Sequence, residues 1–176
     1  MKNTRRERWG AVVLWTALIY ATVPIGRPIC DFLIRKTSFS FFMNAAVLIV
    51  LSGLCFYFIR MIRIRRPSSY LILGMTCLAY IAGLKIFTIP AEKIHFLEYG
   101  LLAFLIFRAV SFDWAEGRAY GPALIMTAVI GWGDEGLQSI TPGRYYQTMD
   151  VVLNALSGGL GLLLTYVARR EGNSSC

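Results

Sequence analysis

The stretch FSFFMNAAVLIVLSGLCFYFI, from Phe39 to Ile59, contains no charged side chain. About 20 mostly apolar residues are what one helical crossing of a bilayer's hydrocarbon core requires. Backbone in lipid must satisfy its own hydrogen bonds, so this stretch reads as a helix. It lacks the period-two alternation of a membrane-barrel strand. Working outward, Trp9 to Val23 precedes it, and Tyr70 to Ile89, Ile94 to Ser111, Tyr120 to Leu137 and Asp150 to Ala168 follow it as further apolar runs. The expected fold class is all-α: one polytopic transmembrane helical bundle of about six helices over residues 1–176, with no separate soluble domain. Pro24 and Pro28 follow the first run, so Pro28 to Lys36 reads as a separate short interfacial helix.

Composition agrees. Of 176 residues, 56% are hydrophobic and only 16% charged, with a mean hydropathy of +0.56. A soluble domain carries about 25% charged residues. The net charge of +8 does not indicate nucleic acid, because the basic residues sit in short clusters between apolar runs, as at Arg60, Arg63, Arg65 and Arg66. That placement suits topology signals and contact with anionic membrane lipids. With the N-terminus placed in the cytoplasm, the alternating runs put twice as many Lys and Arg inside as outside, which predicts both termini inside. The basic start from Lys2 to Arg8 has a signal-peptide flavour, but no A-x-A site follows, and an uncleaved first helix is expected.

Cys30, Cys55, Cys77 and Cys176 share no close spacing, so neither a zinc site nor a disulfide framework is expected. Cys176 is terminal and does not form a prenylation box. There is no G-x-S-x-G and no G-x-x-x-x-G-K-[ST], which excludes those serine-hydrolase and phosphate-loop signatures. Gly131-Trp132-Gly133 reads as a helix-packing or hinge feature.

The chemistry-bearing residues gather in two segments. The first is Lys93 to Gly100, where His95, Glu98 and Tyr99 stand at i, i+3 and i+4 and share a helix face. The second runs from Asp134 through Glu135, Gln138 and Arg144 to Asp150 and Asn154. In the expected topology both lie at the extracytoplasmic helix ends. Half of the acidic residues, Glu92, Glu98, Asp134, Glu135 and Asp150, belong here, with the lone histidine. Ionisable groups within a membrane segment cost about 2.5–3.5 kcal/mol each on insertion scales. Several together imply a wet cavity in which they face one another. Thr141-Pro142-Gly143 reads as a turn holding Arg144 at its mouth. Gly158 and Gly161 continue the Asp150–Asn154 stripe and would admit a close neighbouring helix.

Blander readings compete. Lys93 and Arg144 would snorkel at an interface, His95 and Tyr99 would pack there, Asp150 would favour a helix N-terminus, and Asn154 would bond another helix. Lys85 would either pair with Glu98 or Asp134 or snorkel. Asp113 and Glu116 read as solvated loop residues. Adjacent Asp134 and Glu135 are harder to explain this way, since neighbouring acids gain nothing from each other.

The ordered elements Lys93, His95, Phe96; Asp134, Glu135, Gln138; Pro142, Gly143, Arg144; and Asp150, Asn154, Gly158, Gly161 resemble the VanZ-like family of bacterial membrane proteins. The resemblance covers about 93–161; the first three helices match it only in being apolar. It implies a multi-pass protein of the bacterial cytoplasmic membrane, with a link to teicoplanin resistance through its namesake. Three function classes follow. In the first, the cluster binds or modifies a lipid-linked phosphate or glycan: Lys93, Tyr99, Gln138, Arg144 and Asn154 bind, while His95, Glu98, Asp134, Glu135 and Asp150 supply acid-base chemistry. The carboxylates would also suit a hard ion such as Mg²⁺ or Ca²⁺. In the second, the cluster is an inert network in a protein that shields an envelope precursor or assists a partner. The third is a small lipid transporter or flippase.

Overall fold

The computed structural model describes residues 4–87 and 90–172. Lys2 and Cys176 lie outside them, and the side chains of Arg27, Glu92 and Glu116 are likewise outside the described set. Among the described residues the chain is helical throughout, without a strand: α1 (Arg5–Lys36), α2 (Phe39–Tyr57), α3 (Pro67–Ile86), α4 (Pro90–Val110), α5 (Glu116–Ile140) and α6 (Thr148–Gly172). A π-helical turn, Phe58–Ile62, prolongs α2. Arg63 ends that turn in the left-handed region, at φ 57°.

The helices alternate in direction, giving the bundle two ends. At the basal end, where α1 begins, Arg5 pairs with Asp113 at 3.0 Å and Arg8 donates to the Arg108 carbonyl at 2.8 Å. The carboxylate of Glu171, only 2% exposed, accepts from Ser69 Oγ at 2.5 Å and the Arg65 N–H at 3.0 Å. This clamp fastens the end of α6 to the start of α3, and nothing in the hydropathy pattern pointed to it. The opposite, apical end holds the polar segments.

Among the described residues, four helical stretches are long and apolar enough to cross a membrane: Arg5–Gly26, Phe41–Ile62, Pro67–Ile86 and Thr148–Gly172. Helices α4 and α5 match them in length but carry ionisable residues. Large apolar side chains such as Leu14, Phe41, Ile49, Leu78 and Ile125 cover the outside. A soluble monomer rarely presents contiguous apolar surface on this scale, so the bundle is of membrane type.

One boundary differs from expectation. Pro28 to Lys36 is no separate interfacial helix but the continuation of α1, which runs unbroken through Pro24 and Pro28. Proline removes one helical N–H and crowds the carbonyl four residues back. The carbonyls concerned are those of Tyr20 and Pro24, and the Arg144 guanidinium reaches the neighbouring Val23 carbonyl at 3.4 Å. A reciprocal capping box between Thr4 and Glu7 starts α1.

The core is built on α4 and α6, which run parallel. A Cβ placed on Gly161 would collide with the backbone of Gly100, and one on Gly158 with the side chain of Thr127. The glycine stripe therefore does set close helix contacts. Gly131 is likewise a packing position, its face closed by Asn154 and Tyr99. Cys55 and Cys77, distant in sequence, meet across α2 and α3 with Sγ atoms 3.3 Å apart, as thiols.

Gly161→Leu is expected to destabilise the bundle by about 3 kcal/mol or more, because the obstructing atoms are backbone. Gly159→Leu, with no atom within 4 Å of its Cβ position, is expected to be tolerated. Thermal melting of both variants by size-exclusion chromatography in detergent checks the contrast.

Candidate functional site

The site forms where the start of α4, the end of α5 and the α5–α6 loop meet α1. Asp134 is its centre. Its Oδ2 accepts from Tyr99 Oη at 3.0 Å and from Gln138 Nε2 at 3.4 Å. Gln138 Oε1 in turn accepts a short hydrogen bond from Arg144. The turn after α5 places that arginine: Gly143 has φ +77°, a conformation that favours glycine, and the Arg144 N–H donates to the Thr141 carbonyl at 3.1 Å. A chain of contacts thus runs from Tyr99 through Asp134, Gln138 and Arg144 to the α1 backbone.

His95 lies one turn before Tyr99, with ring centroids 5.7 Å apart. Its Nδ1 is 3.6 Å from Glu98 Oε2, ion-pair range if the ring is protonated. The helical spacing of His95, Glu98 and Tyr99 therefore does produce one polar face.

These groups surround a cavity of about 240 Å³. His95, Glu98, Asp134, Gln138 and Arg144 form its polar wall. The opposing wall is apolar and comes mainly from α1, including Ile19, Val23, Ile25 and Ile29, with Phe39 at the start of α2. Several buried polar atoms have no hydrogen-bond partner: His95 Nδ1, Asp134 Oδ1 and Arg144 Nε around the cavity, and Glu135 Oε1 and Asn154 Oδ1 nearby. Buried polar atoms are normally hydrogen-bonded, so their concentration marks this end of the bundle as a place that receives polar groups.

The remaining candidates are close by but outside the cavity lining. Glu135 turns away from Asp134, and its Oε2 accepts from the Gln147 N–H at 3.2 Å. Successive residues on a helix point about 100° apart, which follows from 3.6 residues per turn, so adjacent acids serve different neighbours. Asp150 is buried at the start of α6. Asn154 is fully buried and donates to the Gly131 carbonyl at 3.4 Å, the helix-to-helix bond its position suggested. Lys93 is 3% exposed rather than snorkelling, and its Nζ donates to Asn44 Oδ1 at 2.7 Å. Lys85 is exposed on α3 and bonds neither Glu98 nor Asp134. Among the described residues no three His, Cys, Asp or Glu side chains converge as a metal-binding group.

Residues from the first two helices complete the site. Besides Val23, Trp15 Nε1 donates to the Glu98 carbonyl at 3.0 Å and Tyr20 Oη to the Ile130 carbonyl at 2.8 Å. Gly133 leaves room for the Tyr20 ring, since a Cβ there would strike its hydroxyl. A polar Asn44 in an otherwise apolar run and aromatic residues with polar tips in α1 were the available signals.

Asn44→Leu is expected to cost about 2–3 kcal/mol by stranding the buried Lys93 ammonium, and Lys93→Met in the same chain is expected to restore most of the loss. Thermal unfolding of the two single variants and the double variant measures the coupling.

The family model VanZ/LLP1 matches residues 78–169, just over half of the chain. That span takes in the second half of α3, all of α4 and α5, and α6 up to its last three residues, while α1 and α2 lie before it. No curated protein and no solved structure matches the chain. The matched span and the ordered polar elements within it show that the chain belongs to the VanZ-like family.

Proposed function

We propose that this VanZ-like protein is a multi-pass protein of the bacterial cytoplasmic membrane that binds or modifies the headgroup of a lipid-linked phosphate or glycan at its apical cavity. All six helices cross the bilayer in this reading, both termini are cytoplasmic, and the apical end faces outward. The positive-inside bias supports that orientation. The observation that carries the reading is the cavity's two-sided lining. A polar wall with unpartnered atoms faces an apolar wall from α1, which suits a ligand with a polar head and an apolar tail.

Within it, Arg144 would hold headgroup oxygens. His95 with Glu98 would move a proton, and Asp134, aligned by Tyr99 and Gln138, would act as base or electrostatic stabiliser. Glu135, Asp150, Asn154 and Lys93 would position the helix ends. A protein that alters envelope precursors in the outer leaflet would also account for a link to glycopeptide resistance. The second reading is a binding protein that shields a precursor without chemistry. It is favoured by the continuous Tyr99–Asp134–Gln138–Arg144 chain, which joins α4, α5 and α1 whether or not a reaction follows.

The test compares mass-spectrometric profiles of envelope lipids from cells making equal amounts of the natural protein, Asp134→Asn or Arg144→Ala. A lipid species changed by the natural protein and reduced about a hundredfold or more in Asp134→Asn is expected for acid-base chemistry. Identical profiles with normal protein levels would remove the enzymatic reading and leave the binding one.

A further inference from the structure

The apical cavity holds two carboxylates, Glu98 and Asp134, against a single cation, Arg144. Both acids line the same cavity wall, one from α4 and the other from α5. Two guanidinium nitrogens of Arg144 are taken by protein acceptors, one by Gln138 Oε1 and another by the Val23 carbonyl, which leaves only Nε for a headgroup oxygen. A phosphate entering here would meet two carboxyl groups and a guanidinium with one nitrogen free. A positively charged N–H donor would meet the reverse.

The backbone of α1 adds to the imbalance. Pro24 and Pro28 lack N–H groups, so the carbonyls four residues before them, at Tyr20 and Pro24, lose their i+4 donor. They belong to the turns that supply Thr22, Val23, Ile25 and Gly26 to the cavity wall. Asp134 is 1% exposed and its Oδ1 has no partner. Against the carboxyl oxygens of Glu98 and Asp134, the unpartnered nitrogens of the lining are Arg144 Nε and His95 Nδ1, so acceptors outnumber free donors.

From this we infer that the apical cavity recognises a primary ammonium group, held between Glu98 and Asp134. The inference rests on the cavity being a headgroup site and specifies which part of the headgroup enters it. An ammonium supplies three donors and a compact positive charge. Bonds to a carboxylate are among the stronger hydrogen bonds. Arg144, bound to Gln138 and Val23, then serves to limit repulsion between the two acids and to keep the cavity mouth in shape.

Binding to the detergent-purified full chain tests this, by thermal stabilisation and native mass spectrometry. The lipid probes are phosphatidylethanolamine, its N-acetylated form, which keeps the phosphate but loses the charge, and phosphatidylglycerol. The soluble probes are glucosamine and N-acetylglucosamine. Preference of about tenfold or more for a free amine over its acetylated counterpart is expected, and Glu98→Gln is expected to abolish the preference. The preference appearing with the lipid identifies a membrane headgroup as its source; the preference appearing only with glucosamine identifies an amino sugar. Equal affinity for amine and acetylated probes of the unaltered protein overturns the inference, whether or not the Glu98→Gln variant folds. Tighter, Arg144-dependent binding of phosphatidylglycerol overturns it too, while leaving the headgroup site in place. Failure of every probe to bind would overturn it together with that site.

Discussion

The contact of Gly161 with the backbone of Gly100 governs the rest of this bundle. In lipid no hydrophobic gain drives one apolar helix against another, so association depends on close packing and on bonds between helices. Glycine on both α4 and α6 lets their backbones touch. Once they do, Gly131 of α5 can close over Asn154 and Tyr99, and Thr127 fits against Gly158. The polar ends of three helices are thereby held in register. Tyr99 meets Asp134 because these helices approach side by side, not because either residue seeks the other across open space.

A second constraint is polar satisfaction. The basal end meets it fully at Glu171, whose carboxylate ties two helix ends together. The apical end meets it only in part. Lys93 finds Asn44, and Asp134 finds Tyr99 and Gln138, yet His95, Asp134, Arg144 and Asn154 each retain a buried atom without a protein partner. The unpartnered atoms are concentrated at the apical end, which is left able to receive a ligand, while the basal end retains Arg8 Nε. The prolines of α1 belong to the same contrast. They free backbone acceptors beside the cavity, and Arg144 uses a neighbouring carbonyl there.

Much of the site was legible in the chain because helical spacing is local. His95, Glu98 and Tyr99 share a face by their numbering, and Asp134 and Gln138 do so by theirs. The glycine stripe also announced a close contact. Spacing could not separate Asp134 from Glu135, since neighbours on a helix diverge and only the surrounding helices decide what each one meets. Nor could it show that Lys93 is buried instead of snorkelling. That depends on a single asparagine in α2, far away in sequence.

The amino-acid sequence by itself determined that the chain is helical, of membrane type, and polar in two short segments belonging to the VanZ-like family. Apolar run length and the need of lipid-exposed backbone to bond within its own helix settle those points locally. Only the tertiary structure decided that α1 continues through its prolines, that it forms the apolar wall of the cavity, and that the two acids lining that cavity are Glu98 and Asp134. The physical reason is that apolar helix surfaces carry little information about their neighbours. Partners are selected by where small residues allow backbones to approach, and that selection is made in three dimensions.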